Sequence, residues 1–272
     1  MVNGYSPKTL NEALELINRE SLIPYAGGTD LMVENRKDAR YLFIGKLPEL
    51  KNISSDGEYI HIGAGVTFTE ALESDLVPEL MKKAVSRIAA PAIRNAGTFG
   101  GNLGNGSAKA DSVLIEFVSD GKLLLKSAEG ERTVDVDRFY LGRKKLDLKE
   151  NELIAEILLP ASGLENHYYE KVGGRNALAI SRVSFAGVFA EKDGRIANVA
   201  AAFGAVADTV LRYKDIEETL KGLTKDEARD KKEEYLKAYS DRMVLTRGRV
   251  SSEYRKEVCM NFLRDFLERF GI

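Results

Sequence analysis

The sequence predicts an α+β protein, because strand-like apolar runs are followed by segregated helices and do not alternate with them around one parallel sheet. Apolar runs of strand length recur up to Ala205, and the chain beyond that point is charged and helical in pattern. The segment Ala161-Ser-Gly-Leu-Glu-Asn166 is the best linker candidate, and it divides the 272 residues into parts of domain size, 1–163 and 164–272.

The elements follow in order. Ser6-Pro7 ahead of Leu10, Leu14 and Ile17 predicts a capped helix with Pro at its first position. Leu22 to Ala26 reads as a short buried strand that enters Gly27-Gly28-Thr29-Asp30, and Tyr41 to Ile44 as a second strand. Tyr59 to Ala64 alternates as a strand, and Thr67-Phe-Thr-Glu70 has the capping-box pattern that opens a helix. A longer helix is expected from Val77 to Ile88, then a glycine-dense loop from Gly97 to Gly106, then a helix opening at Asp111-Ser112. Asp120-Gly121 signals a hairpin, with Lys122 to Lys126 and Arg132 to Val136 as strands, and Leu153 to Leu159 is a strand stopped by Pro160. Tyr168 to Lys171, Ser181 to Glu191 and Arg195 to Ala205 read as three more strands, the last two joined at Asp193-Gly194. Two charged helices and an amphipathic one from about Ser252 to Phe270 close the chain.

Composition narrows the chemistry. Forty basic and 42 acidic residues leave a formal charge of −2, which gives no reason to expect nucleic acid or an anionic membrane as partner. The opening Met1-Val-Asn-Gly-Tyr-Ser-Pro7 lacks the basic and apolar regions of a secretion signal, and no apolar run is long enough for membrane insertion. Cys259 is the only cysteine, so no internal disulfide can form and a reducing, cytoplasmic setting is expected. With His61 and His167 the only histidines, the chain cannot supply the roughly four ligands of an iron–sulfur cluster, and no metal site is expected. His61 stands in a strand-like run and is expected to be structural. Redox chemistry in this chain would therefore need an organic cofactor.

Two segments carry such a possibility: Tyr25-Ala-Gly-Gly-Thr-Asp-Leu31 and Asn95-Ala-Gly-Thr-Phe-Gly-Gly-Asn-Leu-Gly-Asn-Gly106. Each sets a glycine pair after an apolar run and follows it with hydroxyl or amide side chains. Glycine lets successive backbone N–H groups turn towards an anion, forming a nest for phosphate oxygens. A single such turn is more often only a turn, whereas two suit the two phosphoryl groups of a diphosphate. Neither segment brings Lys or Arg before Lys109, so amides, Thr29, Thr98 and Asn102 are expected to do the holding. Asp30 and Asp111 would repel phosphate but accept from sugar hydroxyls. Other phosphate motifs fail: Ser107-Ala108 stands where a P-loop needs Lys and Ser/Thr, and Phe68 replaces the third glycine after Gly63-Ala-Gly65.

Ala26-Gly-Gly-Thr-Asp-Leu31 and Thr98-Phe-Gly-Gly-Asn-Leu103 together resemble the paired motifs of the FAD-binding (medium) subunits of molybdenum hydroxylases, the group of the xanthine dehydrogenase and aerobic carbon monoxide dehydrogenase flavoproteins. The likeness continues through Pro91-Ala-Ile-Arg-Asn95, Glu152-Leu-Ile-Ala-Glu156, Lys171 with Arg175, and Ser252-Glu-Tyr-Arg255. Leu146 departs from it, standing where the family has Thr. The resemblance implies a p-cresol methylhydroxylase-type FAD domain of two α/β lobes, about 1–55 and 56–163, and a C-terminal α+β domain with an antiparallel sheet and helices. Carried over by position, it places the FAD diphosphate against Gly27, Gly28, Thr29, Asp30 and Leu31 and against Thr98, Phe99, Gly100, Gly101 and Asn102, with Tyr25 and Ala26 also expected among the cofactor-binding residues. Asn105 and Asp111 would approach the adenosine half, with Ile88 near the adenine. Ile154 or Ala155 would lie against the isoalloxazine ring, which Lys171 would reach. No residue is expected to act as a catalytic acid or base.

The resemblance further implies an electron-transfer subunit working beside an iron–sulfur subunit and a molybdopterin subunit. It would pass electrons through FAD to an acceptor such as NAD, a quinone or oxygen. The alternative is a self-sufficient FAD-dependent reductase of the type that reduces an enolpyruvyl sugar nucleotide.

Overall fold

The computed structural model describes residues 3–34 and 39–272; Met1 and Val2, on which the leader reading partly rests, lie outside them. The chain forms two compact units that are not contiguous in sequence. Met1–Val77, Ala89–Ser107 and Asp120–Ala161 make the first, and Pro78–Ile88, Ala108–Ser119 and Ser162–Ile272 the second.

In the first unit a small parallel sheet runs in the order Asn3–Tyr5, Arg40–Phe43, Ile23–Tyr25. Helix Leu10–Arg19 buries Leu10, Ala13, Leu14 and Ile17, the three-and-four spacing of one face, in a core with Leu42 and Ile44. Its cap is Thr9, which accepts from the Glu12 amide, so the expected start at Ser6-Pro7 is too early. Glu12 in turn accepts from the Lys8 amide, and this local exchange fixes the boundary.

The unit's larger sheet is antiparallel throughout, in the order Ile53–Ser55, Tyr59–Gly63, Leu153–Pro160, Lys122–Ser127, Gly130–Asp135. Pro160 pairs with Tyr59 and is the strand's last residue. A register shift between Ile154 and Glu156 leaves Ala155 as a bulge. The hairpin signal at Asp120-Gly121 is misplaced: the turn falls at Ala128-Glu129, between Lys122–Ser127 and Gly130–Asp135. Asp120, at φ 55, instead leads the chain out of a helix. The capping box at Thr67 and Glu70 forms as expected. The stretch Gly97–Gly106 is not all loop, since Phe99–Gly104 is a short helix capped by the Thr98 hydroxyl.

The second unit is built on an antiparallel sheet ordered His167–Gly173, Ser181–Lys192, Arg195–Gly204, Leu211–Arg212. Asp193 and Gly194 both have positive φ, 53° and 72°, as a tight two-residue hairpin turn requires. Helix Ser252–Arg269 buries Cys259, Leu263, Phe266 and Leu267, with Phe266 against Phe185 at 5.7 Å between ring centres. Helices Lys214–Glu217, Lys225–Asp230 and Lys232–Arg242 complete the C-terminal set. Helices Glu79–Ser86 and Asp111–Val118 also belong to this unit, and every residue of the latter is buried. Among the described residues no helix is long and apolar enough to cross a membrane.

Candidate cofactor site

Both glycine motifs open onto one cavity of the first unit, about 600 Å³ in volume, within the range of roughly 300–1,000 Å³ usual for cofactor-sized ligands. Ala26 to Leu31 form one wall and Thr98, Gly100, Gly101, Asn102 and Asn105 another, with Ile154 at the strand bulge. Twelve of the expected residues therefore share a single lining, although about 70 positions of sequence separate the two motifs.

The two motifs do different work. In the first, the N–H groups of Gly27 to Leu31 have no hydrogen-bond partner among the described residues. Gly28 makes the turn, at φ 69, with Tyr25 packed so closely beneath it that a Cβ would sit 2.0 Å from the tyrosine hydroxyl. At Gly27 a Cβ would lie 1.8 Å from the Ala96 carbonyl, so glycine lets the two motifs touch. This is an open amide cradle of the kind a phosphate fills.

The second motif is not a cradle, and the expectation of two amide nests is corrected. The Phe99 amide donates to Val66 O at 3.1 Å and the Gly100 amide to Ala64 O at 2.8 Å. The Gly101 amide donates to the Thr98 hydroxyl at 3.1 Å and the Asn102 amide to Thr98 O at 2.9 Å. The neighbouring carbonyls of Val66 and Ala64 and the helix cap at Thr98 consume these donors, and the glycines serve for their lack of bulk. A Cβ at Gly100 would strike that of Ala64 at 2.6 Å, which is tight packing, whereas one at Gly104 meets nothing within 4 Å. Gly101 and Gly104, three residues apart on the helix, present a smooth wall to the cavity.

Six expected residues do not line the cavity, three of them in the first unit. Phe99 is fully buried with its ring edge-on to Phe68 at 5.3 Å. Ala155 is buried in the bulge, where its carbonyl accepts from the Ala64 amide at 2.8 Å. Tyr25 packs against Tyr41 and Phe43, below the loop it was expected to join. Ile88, Asp111 and Lys171 belong to the second unit. There Lys171 Nζ donates to Asp111 Oδ2 at 2.7 Å and to the Arg87 carbonyl at 3.0 Å, and Ser181 Oγ donates to Asp111 Oδ1 at 2.7 Å. Both charged side chains are less than a tenth exposed, so the Lys171 ammonium is engaged within its own unit.

The cavity also contains residues the motifs did not announce. Ala64 and Gly65, set aside as a failed fingerprint, line it from the end of a strand. Glu152 lines it too, with its carboxylate bound by Arg132 at 2.8 and 2.9 Å and by the Lys149 amide at 2.9 Å. The Arg132 guanidinium holds that carboxyl below its usual pKa. Lys144 brings a cation from the turn after Tyr140–Gly142. Gly104 lies within the second glycine segment and Glu152 within the resemblance Glu152-Leu-Ile-Ala-Glu156, whereas Lys144 had no signal in the sequence.

His61 is structural, as expected. Its Nδ1 meets Glu156 Oε2 at 2.8 Å and its Nε2 meets Asp56 Oδ2 at 3.1 Å. Burial disfavours the charged ring, but the two carboxylates outweigh it and raise the His61 pKa.

Comparison with known proteins identifies the family. Residues 1–162 match the family model described as the FAD binding domain in molybdopterin dehydrogenase, and residues 167–270 match the CO dehydrogenase flavoprotein C-terminal domain. The chain is 32% identical over 227 residues to the xanthine dehydrogenase FAD-binding subunit of Escherichia coli O157:H7, covering 78% of this chain and 76% of that one. It is 31% identical over 234 residues to the nicotinate dehydrogenase FAD-subunit of Eubacterium barkeri, covering 80% and 79%. Among solved structures, carbon monoxide dehydrogenase from Hydrogenophaga pseudoflava superimposes with a TM-score of 0.87 at 25% identity, over 98% of this chain and 96% of that one. The chain belongs to the FAD-binding medium-subunit family of the molybdenum hydroxylases, and is a flavoprotein subunit of an oxidoreductase of the xanthine and carbon monoxide dehydrogenase type.

Proposed function

We propose that the cavity of the first unit holds the FAD diphosphate and ring, and that the chain passes electrons from iron–sulfur clusters on a partner subunit to an external acceptor. One observation carries the reading: two motifs distant in sequence meet on one cavity, where the amides of Gly27 to Leu31 lack partners among the described residues. Those amides would hold phosphate oxygens, and Thr29, Thr98, Asn102 and Asn105 would supply side-chain hydrogen bonds. Ile154, on the bulged strand, would support the ring. FAD itself supplies the electron chemistry. The chain's residues bind and orient it, and none is assigned as acid or base.

On this reading residues 1–163 are the FAD domain and 164–272 the C-terminal domain. The iron–sulfur and molybdopterin centres sit on companion subunits, in keeping with a family whose members are named as medium chains and FAD subunits. The acceptor is NAD, a quinone or oxygen, and the complex works in the cytoplasm. Ile88 and Asp111 remain candidates for the adenosine half.

The test is purification from the native source. We expect a yellow chain whose released flavin co-elutes with FAD and not FMN, accompanied by subunits containing iron and molybdenum. A colourless chain that takes up no FAD would refute the site. A yellow chain that purifies alone and turns over with NADPH and a sugar nucleotide would refute the subunit role.

A further inference from the structure

Lys144 is the residue the motifs gave no reason to notice. It occupies the two-residue turn between strands Tyr140–Gly142 and Lys145–Leu146, with φ 57. A residue bearing a Cβ enters that left-handed region at an energetic cost, so something else must hold it there. Its amide donates to the Gly106 carbonyl at 3.3 Å. Gly106 is itself at φ 61, and a Cβ there would stand 3.1 Å from the Lys144 Cα. The end of the glycine helix and the hairpin thus fix each other.

The side chain continues the same connection. Lys144 Nζ donates to Asn105 Oδ1, and Asn105 Nδ2 donates to Asp30 Oδ2 at 2.9 Å. All three residues line the cavity, so this bridge ties the amide cradle, the glycine helix and the hairpin around one space. Of the carboxylates on the lining, Glu152 is matched by Arg132, and Asp30 faces Lys144 across the Asn105 amide. The amides of Gly27 to Leu31 are neutral donors, and Lys144 adds formal positive charge beside them.

We propose that Lys144 is the counter-cation of the FAD diphosphate, positioned by Asn105 and Asp30, and that it supplies the charge that neither glycine motif contains. The inference rests on the reading of this cavity as the flavin site. It assigns the recognition of one chemical group, a diphosphate, to a residue outside both motifs.

Flavin titration of the full chain, stripped of cofactor, tests it. FAD binding is read by quenching of flavin fluorescence and ADP by competition, since ADP carries the diphosphate without the ring. Lys144→Asn keeps a residue that tolerates the left-handed turn and removes the charge. It should weaken FAD and ADP by the same factor, roughly 10- to 100-fold, the range for a hydrogen bond to a charged group. Lys144→Arg should recover most of the loss, with unchanged circular dichroism in both variants. Four results would overturn the proposal: unchanged FAD affinity in Lys144→Asn, a loss for FAD but not ADP, an Arg variant as weak as the Asn variant, or no competition by ADP in the wild type. If the wild-type chain takes up no FAD, the flavin-site reading itself fails. A wild type that binds FAD beside an indifferent Lys144→Asn removes the role of Lys144 alone.

Discussion

Glu116 should make the stability of this protein fall as pH rises through neutrality. It lies on helix Asp111–Val118, fully buried, and neither carboxylate oxygen has a hydrogen-bond partner among the described residues. Burial alone pushes its pKa from an ordinary 4.5 up to about 8. The unfolded chain binds this proton less tightly than the folded one, so the contribution of Glu116 to stability is fully present below pH 4.5 and is lost as pH climbs to about 8. At about 1.4 kcal/mol per pKa unit, the full loss above pH 8 is about 5 kcal/mol, and about 3 kcal/mol has gone by pH 7. Against a typical total of about 5–15 kcal/mol that is a large fraction. Urea unfolding of the wild type and Glu116→Gln at pH 5, 7 and 8.5 isolates the effect, because all other titrating groups are shared. The two proteins should be within about 1 kcal/mol at pH 5, and the Gln variant should gain steadily above it. Stability curves that stay parallel across this range would show that the carboxylate finds a partner or solvent, and the reasoning would fail.

Two further substitutions separate fold from site. Gly104→Ala adds a methyl group where nothing lies within 4 Å, so it should stabilise the cofactor-free helix by up to about 1 kcal/mol while lowering FAD uptake; normal flavin content would remove Gly104 from the cavity wall. Lys171→Met leaves Asp111 as a buried charge held only by Ser181, and should destabilise by about 3–5 kcal/mol. Lys171→Met with Asp111→Asn should restore more than half of that in denaturant unfolding, and a single variant costing under about 1 kcal/mol would refute the pairing.

The fold class and most elements were legible because each rests on local pattern. Apolar runs marked the longer strands of the sheets, Thr67 and Glu70 announced their capping box, and Asp193-Gly194 announced its turn. Errors arose where two local signals competed. Thr9 outranked Ser6 as a cap because Glu12 could answer it, and Asp120-Gly121 looked like a hairpin turn while leading out of a helix. The glycine-dense stretch hid a helix because glycine is the poorest helix former after proline. Its helicity comes from the Thr98 cap and from Ala64 and Val66, which accept its leading amides. The site was half legible in the same way. The residues that form the cradle announced themselves, as did Asp111, Glu152 and Lys171 as residues, but the contacts of Lys144 with Asn105, Glu152 with Arg132 and Lys171 with Asp111 span 39, 20 and 60 positions, to which no local pattern points.

The division of labour between the two motifs bears on how the cofactor is held. A nest of amides is oriented by the turn that builds it, so it offers fixed geometry with little dependence on side-chain entropy. A wall of glycine Cα atoms offers close approach and no direction. If both motifs were cradles, each phosphoryl group would have its own set of fixed donors, and a cation would add little. With the amides of the second motif paired to Val66, Ala64 and Thr98, the proposed diphosphate site relies on side chains on that side. Thr98 is engaged as a helix cap, whereas Asn105 and Lys144 already form a bonded bridge to Asp30. On the proposed reading, the hydrogen bonds that close the second nest are what give a residue outside both motifs its role.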